Sequence, residues 1–497
     1  MVTRGQQRQL SNAWTPSGLP IPSPYVTRHI AALAALVVAG GAVRFATLDL
    51  QSYWFDEAAT VRILRLPFGE MLSELAESES TPPLYYVLAW SWSQIFGLSE
   101  AGLRALSAIF GTAAIPVAYA VGRTFLSPRA GLIVAGLTAV SPMLVWYSQE
   151  ARAYALLVLL TAVSLLFFLR SVRSPSNGNL AVWAVSSALA VATHYFAAFF
   201  VALQASVLLA RPETRNRSAF GSILALTAAS LALLPLAFAQ WGTGGKTAWI
   251  ESTRLFFRMR ESVTHFLGAD FLEPHETMPM RILLLTAIVV AVTASPVSRR
   301  RALFVWSLGV LPASVPLILA AGGLDRFLYR NVIWAWLPLA VGLVAVLEGH
   351  RRFVRASILA ALAVVSLIGV VRMNTDADVQ RADWRKAMAE LPDARGERVI
   401  VASPAWEATS VELYRRVRAA SPKTTVSVEE IVVAGYGFDA PRDVVLLPRG
   451  FLRVDVATLS DLTITRYRAK EPVRIQLRDL VPTPWDYRDE GLLLDRP

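Results

Sequence analysis

The sequence predicts an α-helical polytopic membrane protein of about 11 transmembrane helices with a small C-terminal α/β domain outside the membrane. Three observations predict it. Apolar runs of about 20 residues, the length a bilayer core demands, recur from residue 29 to residue 372. Lys and Arg gather in short connections between those runs. Beyond Arg372 the composition becomes mixed and carries the patterns of a soluble fold. The bulk numbers agree: of 497 residues 54% are hydrophobic, and the mean hydropathy of +0.45 is too high for an ordinary soluble chain. The formal charge of +11 does not indicate nucleic acid, because its carriers sit where membrane topology requires cations. Cysteine is absent, which excludes a disulfide framework and a thiolate metal site.

Taken in order, residues 1–28 are polar, carry Arg4, Arg8 and Arg28, and read as a cytoplasmic tail. The run that follows lacks a small-residue cleavage pattern and is expected to be retained as the first span. The expected spans are 29–48, 102–122, 130–147, 152–170, 179–195, 196–210, 219–240, 281–297, 302–321, 331–348 and 353–372. Basic groups mark every second connection: Arg123 and Arg129; Arg170 and Arg173; Arg211, Arg215 and Arg217; Arg299, Arg300 and Arg301; Arg351, Arg352 and Arg355. Placing these inside with the N-terminus closes the topology if 179–210 enters and returns as a short hairpin. Its polar tip, Thr193-His194-Tyr195, then lines a cavity rather than lipid.

The remaining connections fall outside, which places the protein in an inner or plasma membrane with its polar motifs facing away from the cytoplasm. The first, 49–101, contains LQSYWFDEAA, an acidic stretch from Glu70 to Ser80, and Thr81-Pro82-Pro83-Leu84-Tyr85-Tyr86. The last opens an aromatic helix to Phe96 that suits the headgroup level. The second is Tyr147–Tyr154, the third runs from Trp241 to Pro279, and the fourth is Asp325–Asn331. Residues 29–372 thus form the membrane domain and 373–497 the soluble one. In the latter, Asp383-Trp384-Arg385 opens a helix ending near Leu391, and Arg398–Ala402 and Val444–Leu447 read as strands.

The candidate catalytic residues are Asp56, Glu57 and Glu150. Adjacent acids also suit a helix start, but among Tyr53, Trp54 and Phe55 they are partly desolvated, which tunes a carboxylate for proton abstraction. Glu150 and Arg152 sit in a short connection between two spans, where they either pair or face a water-filled cavity. His194 and Tyr195 read as a packed pair or as substrate contacts. Arg326, Tyr329 and Arg330, with Arg104, lie on the side where cations are disfavoured, so either they anchor the interface or they bind an anion such as phosphate.

These residues carry a resemblance. The acidic pair, the Pro-Pro-Leu helix and Arg104-Ala105-Leu106-Ser107-Ala108-Ile109-Phe110-Gly111 resemble the GT-C membrane glycosyltransferases. The likeness is to glycosyltransferase family 39, which includes protein O-mannosyltransferases and aminoarabinose transferases of lipid A, and it extends through Tyr147–Tyr154, Thr193–Tyr195, Arg326–Arg330 and Asp383-Trp384-Arg385. The resemblance implies transfer of a sugar from a polyprenyl phosphate to an acceptor hydroxyl on a glycan, glycolipid or protein. It implies that Asp56 is the base and that Glu150 shapes the site. Thr81 departs from the pattern, since relatives often have His or Lys before Pro-Pro. The expected chemistry is one inverting displacement, with Tyr53, Trp54 and Tyr147 stacking on sugar faces and arginines holding the phosphate. No cofactor is demanded. A divalent ion bridging Asp56 and the phosphate is open, without a ligand cluster that requires it. The rival expectation is a lipid or sugar transporter, to which 11 spans with cavity-facing charges are suited.

Overall fold

The computed structural model of the chain describes residues 24–242, 249–268, 271, 285, 296–436, 446–459, 461–480 and 491–496. An apolar helix, α1 (Pro24–Phe45), comes first. The first connection then folds into α2 (Phe55–Leu64), α3 (Phe68–Ser78) and α4 (Leu84–Phe96). With 13 residues, α4 reaches only about 20 Å and cannot cross a core of about 30 Å. Its indoles fix it against its neighbours: Trp90 Nε1 donates to Leu66 O at 3.0 Å and Trp92 Nε1 to Gly102 O at 2.8 Å. The long helix α5 (Glu100–Phe125) starts at a Ser99 cap, and α6 (Pro128–Val140) at a Ser127 cap with Pro128 in its first turn. The two pack at glycine, where a Cβ on Gly122 would lie 2.9 Å from the Gly131 Cα.

The expected span 130–147 is not one straight helix. It breaks into α6 and α7 (Pro142–Ser148), bent by 58°. Pro142 has no N–H for the carbonyl of Thr138, four residues back. Arg44 Nη2 donates to that oxygen instead, at 2.9 Å. The same guanidinium reaches Ala139 O and Gly40 O, both at 2.9 Å, and Ser148 Oγ at 3.1 Å. The kink therefore has its own donor, and it swings Tyr147–Glu150 toward the first connection. A Cβ at Gly111 would meet Ser148 Oγ at 2.0 Å, so α5 and α7 approach only because that residue is glycine.

Next come α8 (Tyr154–Arg173), α9 (Asn177–Thr193) and α10 (Ala197–Ala210). Gln204 Oε1 accepts from Trp183 Nε1 at 2.7 Å and Ser164 Oγ at 3.0 Å, while Ser164 and Ser187 share a 2.8 Å bond. This polar tie lies inside the three-helix contact, where lipid cannot reach it. The membrane part continues through α11 (Arg217–Leu231), α12 (Leu234–Gly242), α13 (Trp249–Ser252), α14 (Leu255–Leu267), α15 (Pro296–Ala321), α16 (Trp336–Glu348) and α17 (Arg352–Thr375). Among the described residues seven helices are long and apolar enough to cross a membrane, or eight with the bent pair counted as one. The expected spans 179–195 and 196–210 are α9 and α10. At 17 and 14 residues each falls short of about 20. The expected span 281–297 lies almost wholly outside the described residues.

The basic connections meet at one end of the bundle. There Arg173 bonds Thr124 O, Ser127 Oγ donates to Glu348 Oε1 at 2.8 Å, and Arg211 lies 5.8 Å from the Phe304 ring. The first connection, the α7–α8 connection, the α9–α10 tip and residues 325–335 gather at the other.

The soluble part contains α18 (Trp384–Glu390), β1 (Arg398–Ser403), α19 (Ala408–Tyr414), β2 (Arg418–Ala419), β3 (Thr425–Tyr436), β4 (Leu452–Leu459), β5 (Leu462–Gln476) and β6 (Leu492–Asp495). The strands form one sheet in the order β2-β6-β1-β3-β5-β4, with β1 and β3 parallel. Asp383 caps α18 by accepting from Lys386 N at 3.0 Å, and Trp384, Ala387 and Met388 pack on the sheet. The expected strand 444–447 is not found: Val444 and Val445 lie outside the described residues, and Leu446 and Leu447 are irregular. Leu446 N bonds Leu480 O at 3.0 Å instead of joining the sheet.

This domain is seated on the first connection. Ser52 Oγ donates to Ala382 O at 2.9 Å and accepts from Trp384 N at 3.1 Å. Tyr53 N donates to Tyr414 OH at 2.7 Å, and that hydroxyl donates to Glu100 Oε1 at 2.8 Å. Arg385 bonds the same carboxylate at 3.2 Å and Asp49 O at 3.0 Å.

Candidate functional site

Successive side chains on a helix diverge by about 100°, so the adjacent acids at the start of α2 enter different surroundings. Glu57 turns inward and is fully buried. Its Oε1 accepts from Arg104 Nε and Ala151 N, each at 2.8 Å, and its Oε2 accepts from Arg104 Nη2 at 2.6 Å. Burial raises its carboxyl, but the paired and hydrogen-bonded Arg104 outweighs that and holds it below the ordinary carboxylate value. Arg104 also gives Nη1 to Leu48 O at 2.9 Å and Gln51 O at 2.7 Å, and Nη2 to Ser52 O at 3.0 Å. All five of its N–H donors are thereby used within the protein.

Asp56 turns the other way, its side chain 19% accessible, with Arg330 Nη2 at 3.8 Å from Oδ2. Trp54 lies beside the pair, with its ring 5.7 Å from the Arg330 guanidinium carbon. A second guanidinium, that of Arg381, lies 5.6 Å from the same ring. Arg381 also lies 4.3 Å from the Trp146 ring and 3.7 Å from Glu57 Oε2, and donates to Glu150 Oε2 at 2.5 Å. Next to this charge cluster is a cavity of about 280 Å³ lined by Met143, Trp146, Tyr147, His265, Phe271, Tyr329, Asp378 and Val379. The His265 and Tyr329 rings stack at 3.5 Å in its wall. The site thus has a partly open carboxylate with a neighbouring guanidinium, beside a largely aromatic chamber, roomy enough for a sugar ring, that a second carboxylate, Asp378, also lines. Among the described residues no group of three or more His, Cys, Asp or Glu is placed to hold a metal ion.

Residues 80–241 match the model of the family described as dolichyl-phosphate-mannose-protein mannosyltransferase. The crystal structure of ArnT from Cupriavidus metallidurans in the apo state superposes with a TM-score of 0.54 at 12% identity, over 89% of this chain and 98% of that one. The same protein bound to undecaprenyl phosphate superposes with a TM-score of 0.51 at 13% identity, over 90% and 98%. The chain has the GT-C fold. Within it, the resemblance to glycosyltransferase family 39 holds, and the chain is a multi-pass membrane protein. No curated protein matches it in sequence.

The GT-C framework brings together some of the sequence-selected residues and separates others. Asp56, Arg330, Tyr329 and Glu150 meet at the site. Glu57 and Arg104 form a buried clamp behind it, which differs from their expected reactive and phosphate-binding places, because each already has protein partners on every bonding side. Arg152 is also turned away from the opening. Its Nη1 reaches Glu79 Oε1 and Thr60 Oγ1 at 3.0 Å and Tyr86 OH at 2.8 Å. His194 is buried at the hairpin tip, its ring 6.4 Å from that of Tyr154, with Asn331 hydrogen-bonded to it. Tyr195 points elsewhere: its hydroxyl donates to Gln240 Oε1 at 2.8 Å, and Gln240 Nε2 donates to Thr81 O at 3.0 Å. Arg326 faces Glu251 at 3.3 Å, away from Asp56.

Arg381, Trp146, His265 and Glu407 were not expected. Glu407 precedes α19, is 4% exposed and accepts from Ser410 Oγ at 2.9 Å. Burial pushes its carboxyl up to about 7, with the negative charge of Asp56 acting in the same direction. A folded value above the unfolded one favours the neutral form. The stability it contributes is therefore complete below the unfolded value of 4.5 and lost as pH rises through about 7. Glu407→Gln is expected to gain about 1–3 kcal/mol over the parent above pH 7, and little near pH 4.5. Thermal melts of the purified protein at the two pH values check this.

Proposed function

We propose that the protein is an integral membrane glycosyltransferase that moves a sugar from a polyprenyl phosphate to an acceptor hydroxyl, with Asp56 as base. The observation that carries the reading is the Asp56–Arg330 pair beside an aromatic chamber, at the end of the bundle opposite the basic connections. Cations stay inside by the usual rule, so this end faces away from the cytoplasm. A lipid-linked donor keeps its tail in the bilayer and its phosphate at that level. ArnT of the same fold is known bound to undecaprenyl phosphate, which supports the donor class for this chain.

In the proposed reaction Asp56 takes the proton of the acceptor hydroxyl as its oxygen attacks the anomeric carbon. The bond from that carbon to the phosphate oxygen breaks, and the lipid phosphate leaves with both electrons. Arg330 offsets the charge that grows on the phosphate. A single displacement of this kind inverts the anomeric centre. Trp146, Tyr147 and Tyr329 provide ring faces for the sugar. Glu57 and Arg104 do not react; they hold the turn that carries Asp56. The acceptor is a glycan, glycolipid or protein hydroxyl arriving from the aqueous side. The steps are carried by Asp56 and Arg330.

The direct test is transfer of radiolabelled sugar from a polyprenyl phosphate by the purified protein, set against uptake in sealed vesicles. Transport without transfer would overturn the reading. Arg330→Ala is expected to weaken donor binding by roughly 10- to 100-fold, the loss of one or two charge-assisted contacts. Arg326→Ala, which removes an exposed pair, should change it by less than about threefold. Equal effects from both would place the phosphate elsewhere.

A further inference from the structure

The Asp56–Arg330 pair leaves a second carboxylate of the site without a role. Glu150 is 1% exposed, and among the described residues only one of its oxygens is bonded. Oε2 accepts from Arg381 Nη2 at 2.5 Å, while buried Oε1 has no hydrogen-bond partner among the described residues. A buried carboxylate oxygen without a donor is costly, and such an atom is normally protonated or in contact with a ligand. The cation bonded to it does not come from the membrane part. Arg381 lies just ahead of α18, in the segment that leads into the soluble domain, and its backbone N–H donates to Gln51 Oε1 at 3.0 Å. The guanidinium is wedged between the Trp54 and Trp146 rings, which fixes its direction.

We propose that Arg381, brought by the soluble domain, is a positioning residue that keeps Glu150 ionised and aimed into the site, so that the site holds its working charge only while that domain is seated. The groups facing Glu150 divide as follows. Arg381 and, from the fourth connection, Arg330 favour its charge, whereas Glu57 and Asp56 of α2 oppose it. Tyr147, Tyr154 and Tyr85 also lie within electrostatic reach. Burial is the largest influence and pushes Glu150 up to about 7, so the balance at neutral pH depends on its nearest cation. The other seating bonds, through Ser52, Tyr414 and Arg385, do not involve Arg381, so the domain remains docked without it.

The experiment is pH-difference infrared spectroscopy of the purified full-length protein in nanodiscs, read at the C=O stretch of protonated carboxyl groups. A titrating band absent from Glu150→Gln identifies Glu150. Its midpoint is expected to move up by about one unit or more in Arg381→Gln, the direction an ion-pair loss dictates, and to stay near the parent value in Arg381→Lys. An unchanged midpoint in Arg381→Gln, or a band that persists in Glu150→Gln, overturns the proposal. The inference rests on the transferase reading only for its effect on turnover. There the acidic limb of the kcat profile should shift up with the band in Arg381→Gln and return in Arg381→Lys. A band that shifts in a protein that transfers no sugar would sink the transferase reading and leave the charge assignment standing. A limb that stays while the band moves would sink the link between the two.

Discussion

Asp56→Asn is expected to lower kcat for sugar transfer by about 10³-fold or more while the protein still inserts, melts at the parent temperature and binds donor lipid. A positioned base contributes about 10²–10⁴-fold, and no other partly open carboxylate lies at Arg330 among the described residues. Asparagine keeps the shape and the hydrogen-bonding reach of the side chain but cannot take a proton at neutral pH. Donor binding should survive, because the proposed contacts of phosphate and sugar are Arg330 and the rings of Trp146, Tyr147 and Tyr329. The loss should therefore fall on kcat with KM for the donor little changed. Single-turnover transfer from a radiolabelled polyprenyl-phosphate sugar separates the two. Activity within about threefold of the parent would remove Asp56 as the base.

Most of the architecture is legible in the sequence, because lipid imposes a length and composition on each crossing that no other environment does. Even the paired short helices α9 and α10 show as an apolar stretch with basic residues at both ends. The kink at Pro142 is harder to read. The proline is visible, but the donor that replaces its missing N–H comes from Arg44, 94 residues from Thr138, and nothing local announces that pairing. The site behaves similarly. The acidic pair Asp56-Glu57 stands out, yet only the rotation of α2 decides which acid is open and which is clamped. Sidedness brings several arginines to the right end of the bundle, but it cannot say that Arg104 and Arg152 spend their donors inside the protein while Arg330 faces Asp56. Arg381 carried no signal at all: it is one basic residue in a mixed segment, and it acquires meaning only when the soluble domain is docked 231 residues away from Glu150.

Arg104→Met is expected to have the largest effect on stability of any single change near the site. Methionine fills much of the space of the side chain but leaves Glu57 as a buried charge, its nearest other cation 3.7 Å away at Arg381. Breaking one partner of a buried ion pair typically costs about 3–5 kcal/mol. The carbonyls of Leu48, Gln51 and Ser52 lose their donors at the same time, which adds about 1–3 kcal/mol for each that water cannot reach. The turn that these bonds define leads directly into α2, so Asp56 loses its setting. Transfer should then fall with the folded fraction and not at constant stability, unlike Asp56→Asn. Arg104→Lys should recover only part of the loss, since three donors on a flexible stem cannot reproduce a five-donor fork. Adding Glu57→Gln to Arg104→Met removes the orphaned charge but not the orphaned carbonyls, and should restore about half of the lost stability. The clamp also has a pH signature. Glu57 titrates below its unfolded value, so its stabilisation is present above 4.5 and disappears as pH falls through the folded value. Thermal melts across acid pH, with limited proteolysis of the first connection as a local readout, test both points. A fully stable Arg104→Met protein would show that the Glu57–Arg104 clamp is not what holds the first connection, and that packing and the bonds to the soluble domain suffice.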